Sequence, residues 1–272
     1  TAVAPPPGTK FQVEFVKRES DGKEVPVVVP ELREYWELLI KPGDKAQRVE
    51  SGQYDHLFRN EGGKFVDVSG QAGIEGAYFT LSATWLDYDA DGDADLYVSN
   101  DFTGPDMLYR NRGDGTFENI IRESVPHTPW FSMGSDVGDL NNDGLLDLFA
   151  TDMSATSHYR EKVMMGNMDD MGWFLEWAQP RQYMRNAVLI NAGTGRFRES
   201  AFLSGLASTD WSWTPRLEDF DQDGRVDVFV TNGVMRDNMN SDLSMFSERN
   251  FKPGSPEYTR FWLEKPLRRE HN

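Results

Sequence analysis

The sequence predicts an all-β repeat protein of the propeller type, and three observations lead there. A nine-residue acidic loop occurs three times, at Asp87–Asp95, Asp139–Asp147 and Asp219–Asp227. Each copy runs directly into a short strand-like stretch: Leu96–Ser99, Leu148–Thr151 and Val228–Thr231. These stretches are rich in the β-branched and aromatic residues that suit a pleated surface. A glycine-turn hairpin also recurs, at Leu57–Phe65, Leu108–Phe117 and Val188–Phe197. The hairpin asparagine precedes the loop aspartate by 27, 28 and 28 residues (Asn60 to Asp87, Asn111 to Asp139, Asn191 to Asp219), a register too regular for chance. Several short strands per unit of about 50 residues, divided by glycine turns, is the pattern of a propeller blade.

The loops carry the chemistry. Closely spaced carboxylates repel one another unless a cation sits among them, and alternate positions of a tight loop aim their side chains at a common point. Calcium is a hard ion that takes six to eight oxygens. Loop positions 1, 3, 5 and 9 supply side-chain oxygen in every copy: Asp87, Asp89, Asp91 and Asp95; Asp139, Asn141, Asp143 and Asp147; Asp219, Asp221, Asp223 and Asp227. Position 7 varies among Asp93, Leu145 and Arg225, so its expected contribution is the backbone carbonyl. Gly92, Gly144 and Gly224 hold position 6, where the chain must turn sharply around an ion. An EF-hand begins in the same way but needs a bidentate Glu at position 12. Position 12 here is Val98, Ala150 and Val230, which places the loops between strands. A plain solvated acidic turn has no need of a fixed acidic spacing.

Composition bounds the rest. A chain of 272 residues with 38% hydrophobic and 12% aromatic content can bury a core. It contains no cysteine, which removes disulfides, thiolate zinc sites and a cysteine nucleophile. No run is long and apolar enough to span a bilayer, and no leader is legible, so an exported protein would appear here in processed form. The net charge of −17 argues against nucleic acid as a partner. Three bound calcium ions would bring that charge to −11, so much of it belongs to the loops.

Residues 1–50 form an N-terminal tail and divergent segment. Pro5-Pro6-Pro7-Gly8 reads as extended chain, Phe11–Val16 and Val25–Val29 as strands, and Glu31–Ile40 as a short helix. Residues 51–272 form the blades, in units of about 51–101, 102–153 and 182–233, with 234–272 leading into a further blade. Between the second and third loops the spacing widens, which places a partly helical insertion at about 154–181. That insertion holds Met164, Met165, Met168, Met171, Trp173, Phe174 and Trp177, an adaptable apolar set suited either to recognition or to packing as a lid. Trp85, Trp130, Phe131, Trp211 and Trp213 are expected to pack between blades rather than to form a ligand platform.

The stretches Asp87–Asn100, Asp152–Met165 and Thr209–Gly233 resemble FG-GAP or VCBS-type calcium propellers, related to integrin α-chain heads, and within them the ASPIC/UnbV or cartilage-acidic-protein-like group. The likeness covers about residues 51–240. It implies a calcium-stabilised propeller, usually seven-bladed, that is secreted, periplasmic or at the cell surface and serves adhesion or recognition rather than catalysis. It also implies about three calcium ions on the loop residues named above, with the Asn141 amide in place of an acid. Only three units are legible, so the ring is expected to be incomplete, a fragment or a piece completed by another chain.

The function so expected is a noncatalytic calcium-binding module for a protein or glycan partner, without nucleic acid and without membrane insertion. Two alternatives belong to other classes. A hydrolase or lyase would use a loop-held calcium as Lewis acid beside Asp101, Asp152 or Asp210. A structural subunit of a larger surface complex would bind no ligand at all. Arg112-Gly113-Asp114 spells an integrin-binding tripeptide, yet it falls on a hairpin turn aligned with Glu61-Gly62-Gly63 and Ala192-Gly193-Thr194, so turn chemistry accounts for it.

Overall fold

The computed structural model describes residues 5–17, 24–33, 35–41, 45–50, 54–74, 76, 78–102, 104–164, 178–233 and 239–264. Among these, two four-stranded antiparallel sheets are built alike. The first runs Phe79–Leu86, Asp95–Asp101, Met107–Asn111 and Phe117–Asn119. The second runs Gly134–Gly138, Asp147–Thr151, Ala187–Asn191 and Phe197–Glu199. A third sheet sets Asp210–Glu218 between Asp227–Asn232 and the two-residue strand Met153–Ser154. In all three sheets the acidic loop joins the first long strand to the second.

The second and third hairpins each belong to the sheet of the loop that precedes them. The strand holding Asn111 pairs with the strand following Asp95, and the strand holding Asn191 pairs with the strand following Asp147. The hydrogen-bonded sheets are therefore phased differently from the units at 51–101, 102–153 and 182–233, because strands close in sequence pair most readily as a meander. The Phe58–Glu61 and Lys64–Asp67 hairpin stands as a two-stranded sheet of its own.

Packing follows the two-residue alternation of strand side chains. Leu96 and Val98 turn to one face of the first sheet, with Met107 and Tyr109. Tyr97 turns to the other face and meets the second sheet in a core with Leu108, Leu148, Ala150 and Leu189. Phe149 and Val188 leave the opposite face of the second sheet and pack with Leu217, Val226 and Val228 of the third. The first strands of the three sheets lie side by side. Thr84 Oγ1 donates to the Ser135 carbonyl at 3.0 Å, and the Leu217 N–H donates to Asp136 Oδ2 at 2.9 Å. Gly134 is required at this joint, since a Cβ there would lie 2.4 Å from the Trp213 carbonyl oxygen. The three sheets close no ring among the described residues.

After each hairpin comes a one-turn helix that the strand pattern does not announce: Ser69–Ala72, Ile121–Ser124 and Ala201–Ser204. The residue two positions before each accepts its first free N–H. Asp67 receives Ser69 at 3.0 Å, Asn119 receives Ile121 at 3.2 Å and Glu199 receives Ala201 at 2.7 Å.

Residues outside the sheets correct several expectations. Val13–Lys17 pairs with Glu24–Val28, and Pro26 is tolerated opposite Phe15 because a two-stranded sheet leaves every strand an edge. The helix expected over Glu31–Ile40 is a single 3-10 turn at Pro30–Leu32 followed by the strand Trp36–Lys41, which pairs with Lys45–Glu50. A nearby partner strand prevails over weak helical propensity. In the insertion, His158–Val163 is helical with Ser157 as its cap. Met165, Met168, Met171, Trp173, Phe174 and Trp177 lie outside the described residues, as does Pro266–Asn272. Where a further blade was expected, two helices stand at Ser241–Asn250 and Pro256–Leu263, joined by a cluster of Phe246, Phe251 and Phe261 with ring centroids 5.5–6.3 Å apart.

The tryptophans divide. Trp130 and Phe131 are buried and stack at 4.8 Å, and Trp211 packs on them. Trp85 and Trp213 are instead half exposed: Trp85 lies beside Phe117 at 6.2 Å, and the Trp213 ring lies over Gly233, where a Cβ would clash with it. No helix of the described residues is long and apolar enough to cross a membrane.

Candidate metal centres

Each acidic loop is folded by its own carboxylates before any ion is considered. The position-1 side chain arches over the turn and accepts the N–H groups of positions 5 and 6. Asp87 takes Asp91 and Gly92 at 3.1 Å each; Asp139 takes Asp143 at 3.0 Å and Gly144 at 2.8 Å; Asp219 takes Asp223 at 3.0 Å and Gly224 at 2.8 Å. The position-5 carboxylate accepts the N–H of position 7, so that Asp91 holds Asp93, Asp143 holds Leu145 and Asp223 holds Arg225, all at 2.9 Å. Gly92, Gly144 and Gly224 have φ of +92°, +87° and +85°, the left-handed conformation expected of them. Position 4 is left-handed as well, at Ala90, Asn142 and Gln222, which the acidic spacing does not signal.

Position 9 anchors the loop to the sheet. Asp95 is buried and accepts the Tyr88 N–H at 3.0 Å and the Asn111 N–H at 2.8 Å. Asp147 does the same with Leu140 at 2.9 Å and Asn191 at 2.7 Å. Burial pushes both carboxyls above the ordinary range, opposed by these backbone donors. Asp89 is raised too, by burial first and then by the charge of Asp91. Such groups gain from a counter-cation.

The loops also bring carboxylates together. Asp87, Asp89 and Asp95 place one oxygen each within 4.8 Å of one another, and Asp219, Asp221 and Asp227 do likewise. In the second loop Asp139, Asn141 and Asp147 hold the same positions with an amide in the middle, and Asn141 Nδ2 donates to Asp143 Oδ2 at 2.9 Å. Positions 1, 3 and 9 thus form the cluster. Asp91, Asp223 and the variable Asp93 and Arg225 are not part of it, and Leu145 and Arg225 have no acidic side chain to add. An all-oxygen donor set with several carboxylates fits a hard divalent cation such as calcium and does not fit a soft metal.

Of the acids named for a catalytic alternative, Asp152 and Asp210 are buried and Asp101 is half-buried. Asp152 is buried and accepts the N–H of Trp130 at 2.8 Å and of Phe131 at 3.3 Å, and burial lifts it to about 7. Burial lifts Asp101 to about 6. Asp210 is buried in an ion pair with Arg160 at 2.9 Å. The Arg112-Gly113-Asp114 turn is held by Asp114, which accepts the Thr116 N–H at 2.9 Å, and by Arg112, which pairs with Glu118 at 3.2 Å.

Sequence reasoning missed the hairpin asparagines as part of this site. Asn111 Nδ2 donates to the Ala94 carbonyl at 3.1 Å and Asn191 Nδ2 to the Leu146 carbonyl at 3.2 Å, so each hairpin clasps its loop at position 8. Their recurrence in every hairpin was the available signal.

The fold and the loops define a class: a β-sheet repeat protein in which each sheet carries an acidic cluster between its first two long strands. Within it, residues 87–150 and 175–230 match the FG-GAP-like repeat family, and these two spans contain all three acidic loops. No match to the chain is found among curated proteins.

Proposed function

We propose that the chain is a noncatalytic, calcium-binding propeller module that presents a surface for a protein or glycan partner outside the cytoplasm, in the manner of adhesion repeats. The observation that carries this reading is the converging carboxylate trio at loop positions 1, 3 and 9, repeated with one hydrogen-bond scheme. Asp87, Asp89, Asp91 and Asp95 would hold one ion, with Asp139, Asn141, Asp143 and Asp147 and then Asp219, Asp221, Asp223 and Asp227 holding two more; backbone oxygen at Asp93, Leu145 and Arg225 would complete each shell. Bound calcium supplies positive charge that offsets carboxylate repulsion and fixes the turn between strands.

The propeller form is supported by the adjacent first strands and by two four-stranded meanders of equal design. The ASPIC/UnbV likeness and the FG-GAP-like spans support a secreted, periplasmic or surface setting. A noncatalytic role is favoured over a hydrolase or lyase by the engagement of Asp152 and Asp210 in internal contacts. Calorimetric titration of chelator-treated protein with calcium tests the reading directly: saturable binding of about three ions per chain is expected, and an absence of heat at millimolar calcium would overturn it.

A further inference from the structure

We propose that the cleft lined by Arg122, Arg181 and Arg196 binds an anionic saccharide, a sugar bearing carboxylate or sulfate groups. The inference rests on the reading of the chain as a recognition module, whose ligand it names, and does not depend on the calcium loops.

The cleft flanks the last strand of the second sheet and has a volume of about 440 Å³, within the range of small-ligand sites. Three separate stretches of chain bring an arginine to it. Arg122 comes from the one-turn helix Ile121–Ser124, Arg181 opens the strand Arg181–Tyr183, and Arg196 ends the glycine turn before Phe197. Each arginine is carried on anchored backbone. Ile121 and Phe197 are buried in one core with Leu148 and Leu189. The Ala192 N–H donates to the Arg196 carbonyl at 3.1 Å, and the buried Gln182 Nε2 donates to the Gly104 carbonyl at 3.1 Å, which holds the strand next to Arg181. Residues far apart in sequence thus converge on one cleft.

The charge balance of the chain makes this convergence unusual. Acidic residues outnumber basic ones 45 to 28, and arginines elsewhere are taken up by them: Arg59 by Glu61, Arg110 and Arg112 by Glu118, Arg185 by Glu199, and Arg216 by Asp136. Arg122, Arg181 and Arg196 are exposed and make no ion pair with a described residue. Among the described lining residues Glu123 is the one carboxylate. Like charges gathered in this way favour an anion between them, and a guanidinium fork matches the oxygens of a carboxylate or a tetrahedral oxyanion.

The neighbouring groups favour a sugar as the carrier of that charge. Ser124 and Gln179 add to the lining a hydroxyl and an amide that no described residue engages, and such groups suit ring hydroxyls. Past buried Gln182 the strand reaches Tyr183, which shares the exposed face of Arg181 two residues on. The Arg185 guanidinium lies 5.0 Å from the Tyr183 ring centre and 4.9 Å from that of Phe202, and Phe202 and Leu203 are exposed as well. An aromatic and apolar ledge therefore continues from the arginines, with flat rings on which the C–H face of a sugar packs. An acidic peptide needs only the arginines, whereas a charged sugar uses its acid, its hydroxyls and its C–H face together.

Calorimetric titration of the full chain in saturating calcium tests this, with a short uronic acid oligomer and a short sulfated oligosaccharide in separate arms. Saturable binding is expected, and the arm that binds assigns the acid as carboxylate or sulfate. Arg181→Gln and Arg196→Gln should each weaken binding about tenfold, with unaltered circular dichroism because both side chains are exposed. Arg196→Lys should bind more weakly than the native chain but more tightly than Arg196→Gln, since an ammonium keeps the charge without the fork. Lys64→Gln, outside the cleft, should change nothing. No binding in either arm, equal weakening by Lys64→Gln, or arginine-dependent binding of oligoglutamate as tight as that of the saccharides would each overturn the proposal. Calcium binding absent with saccharide binding intact would overturn only the metal reading, and the reverse would overturn only this one.

Discussion

The side-chain amide of Asn191 donates to the main-chain carbonyl of Tyr88, 2.6 Å away and 103 residues earlier in the chain. The hairpin of the second sheet thereby holds the acidic loop of the first, while the same Nδ2 reaches Leu146 in its own loop. The first loop is thus tied both to its own sheet, through Asn111, and to the next, through Asn191.

Asn191→Ala leaves two carbonyls without that donor in a buried joint, and should destabilise the chain by about 1–3 kcal/mol in urea unfolding. Asp114→Ala, in an exposed turn, should shift the urea midpoint far less than Asn191→Ala does.

Removal of calcium should lower the melting temperature. A ligand present at 100 times its dissociation constant adds about 2.7 kcal/mol per site, and for a chain of this length each kcal/mol moves the midpoint by about 2–4 °C. Scanning calorimetry with and without EDTA reads the shift. The second loop, with Asn141 in place of an acid, should release its ion first, and Asn141→Asp should tighten it.

Ala90 adopts φ of 59°, where a Cβ is strained, while the second loop uses Asn142 at 58°. Ala90→Asn should therefore be neutral to stabilising by up to about 1 kcal/mol, and Gly224→Ala, at φ +85°, destabilising by about 1 kcal/mol. Chemical denaturation in saturating calcium separates these backbone effects from changes in metal binding.

Asp106 is buried, and burial raises its carboxyl to about 7 despite the Asn100 N–H and the Tyr97 and Ser132 hydroxyls. With its folded value above the unfolded value of 3.8, the folded state binds the extra proton between the two. Its contribution is most favourable below pH 4 and is lost as pH rises through 7. Relative to wild type, Asp106→Asn should gain stability between pH 4.5 and 7.5, read from urea midpoints at the two values. A constant difference would show that Asp106 is not protonated in the folded chain.

Much of the repeat was legible because it is local. Strand alternation, glycine turns and D-x-D/N-x-D-G loops depend on neighbours within nine residues, and the structure places strands and turns where those patterns put them. The two helices after residue 240 were legible too, in Asn240 and in Ser255-Pro256-Glu257, which cap them with side-chain bonds to Asp242, Leu243 and Tyr258. The segment Glu31–Ile40 misled because an isolated stretch cannot show that Lys45–Glu50 will pair with it.

By itself the sequence determined the acidic loops, their glycines, the hairpins and the β class, since each follows from short-range sterics and charge. Only the tertiary structure decided which hairpin joins which loop, that Asp152 and Asp210 are interior, and that Trp130 is buried while Trp85 stands half exposed. Those outcomes depend on contacts between residues far apart in the chain, and a repeating pattern fixes the period of such contacts without fixing their phase or their ends.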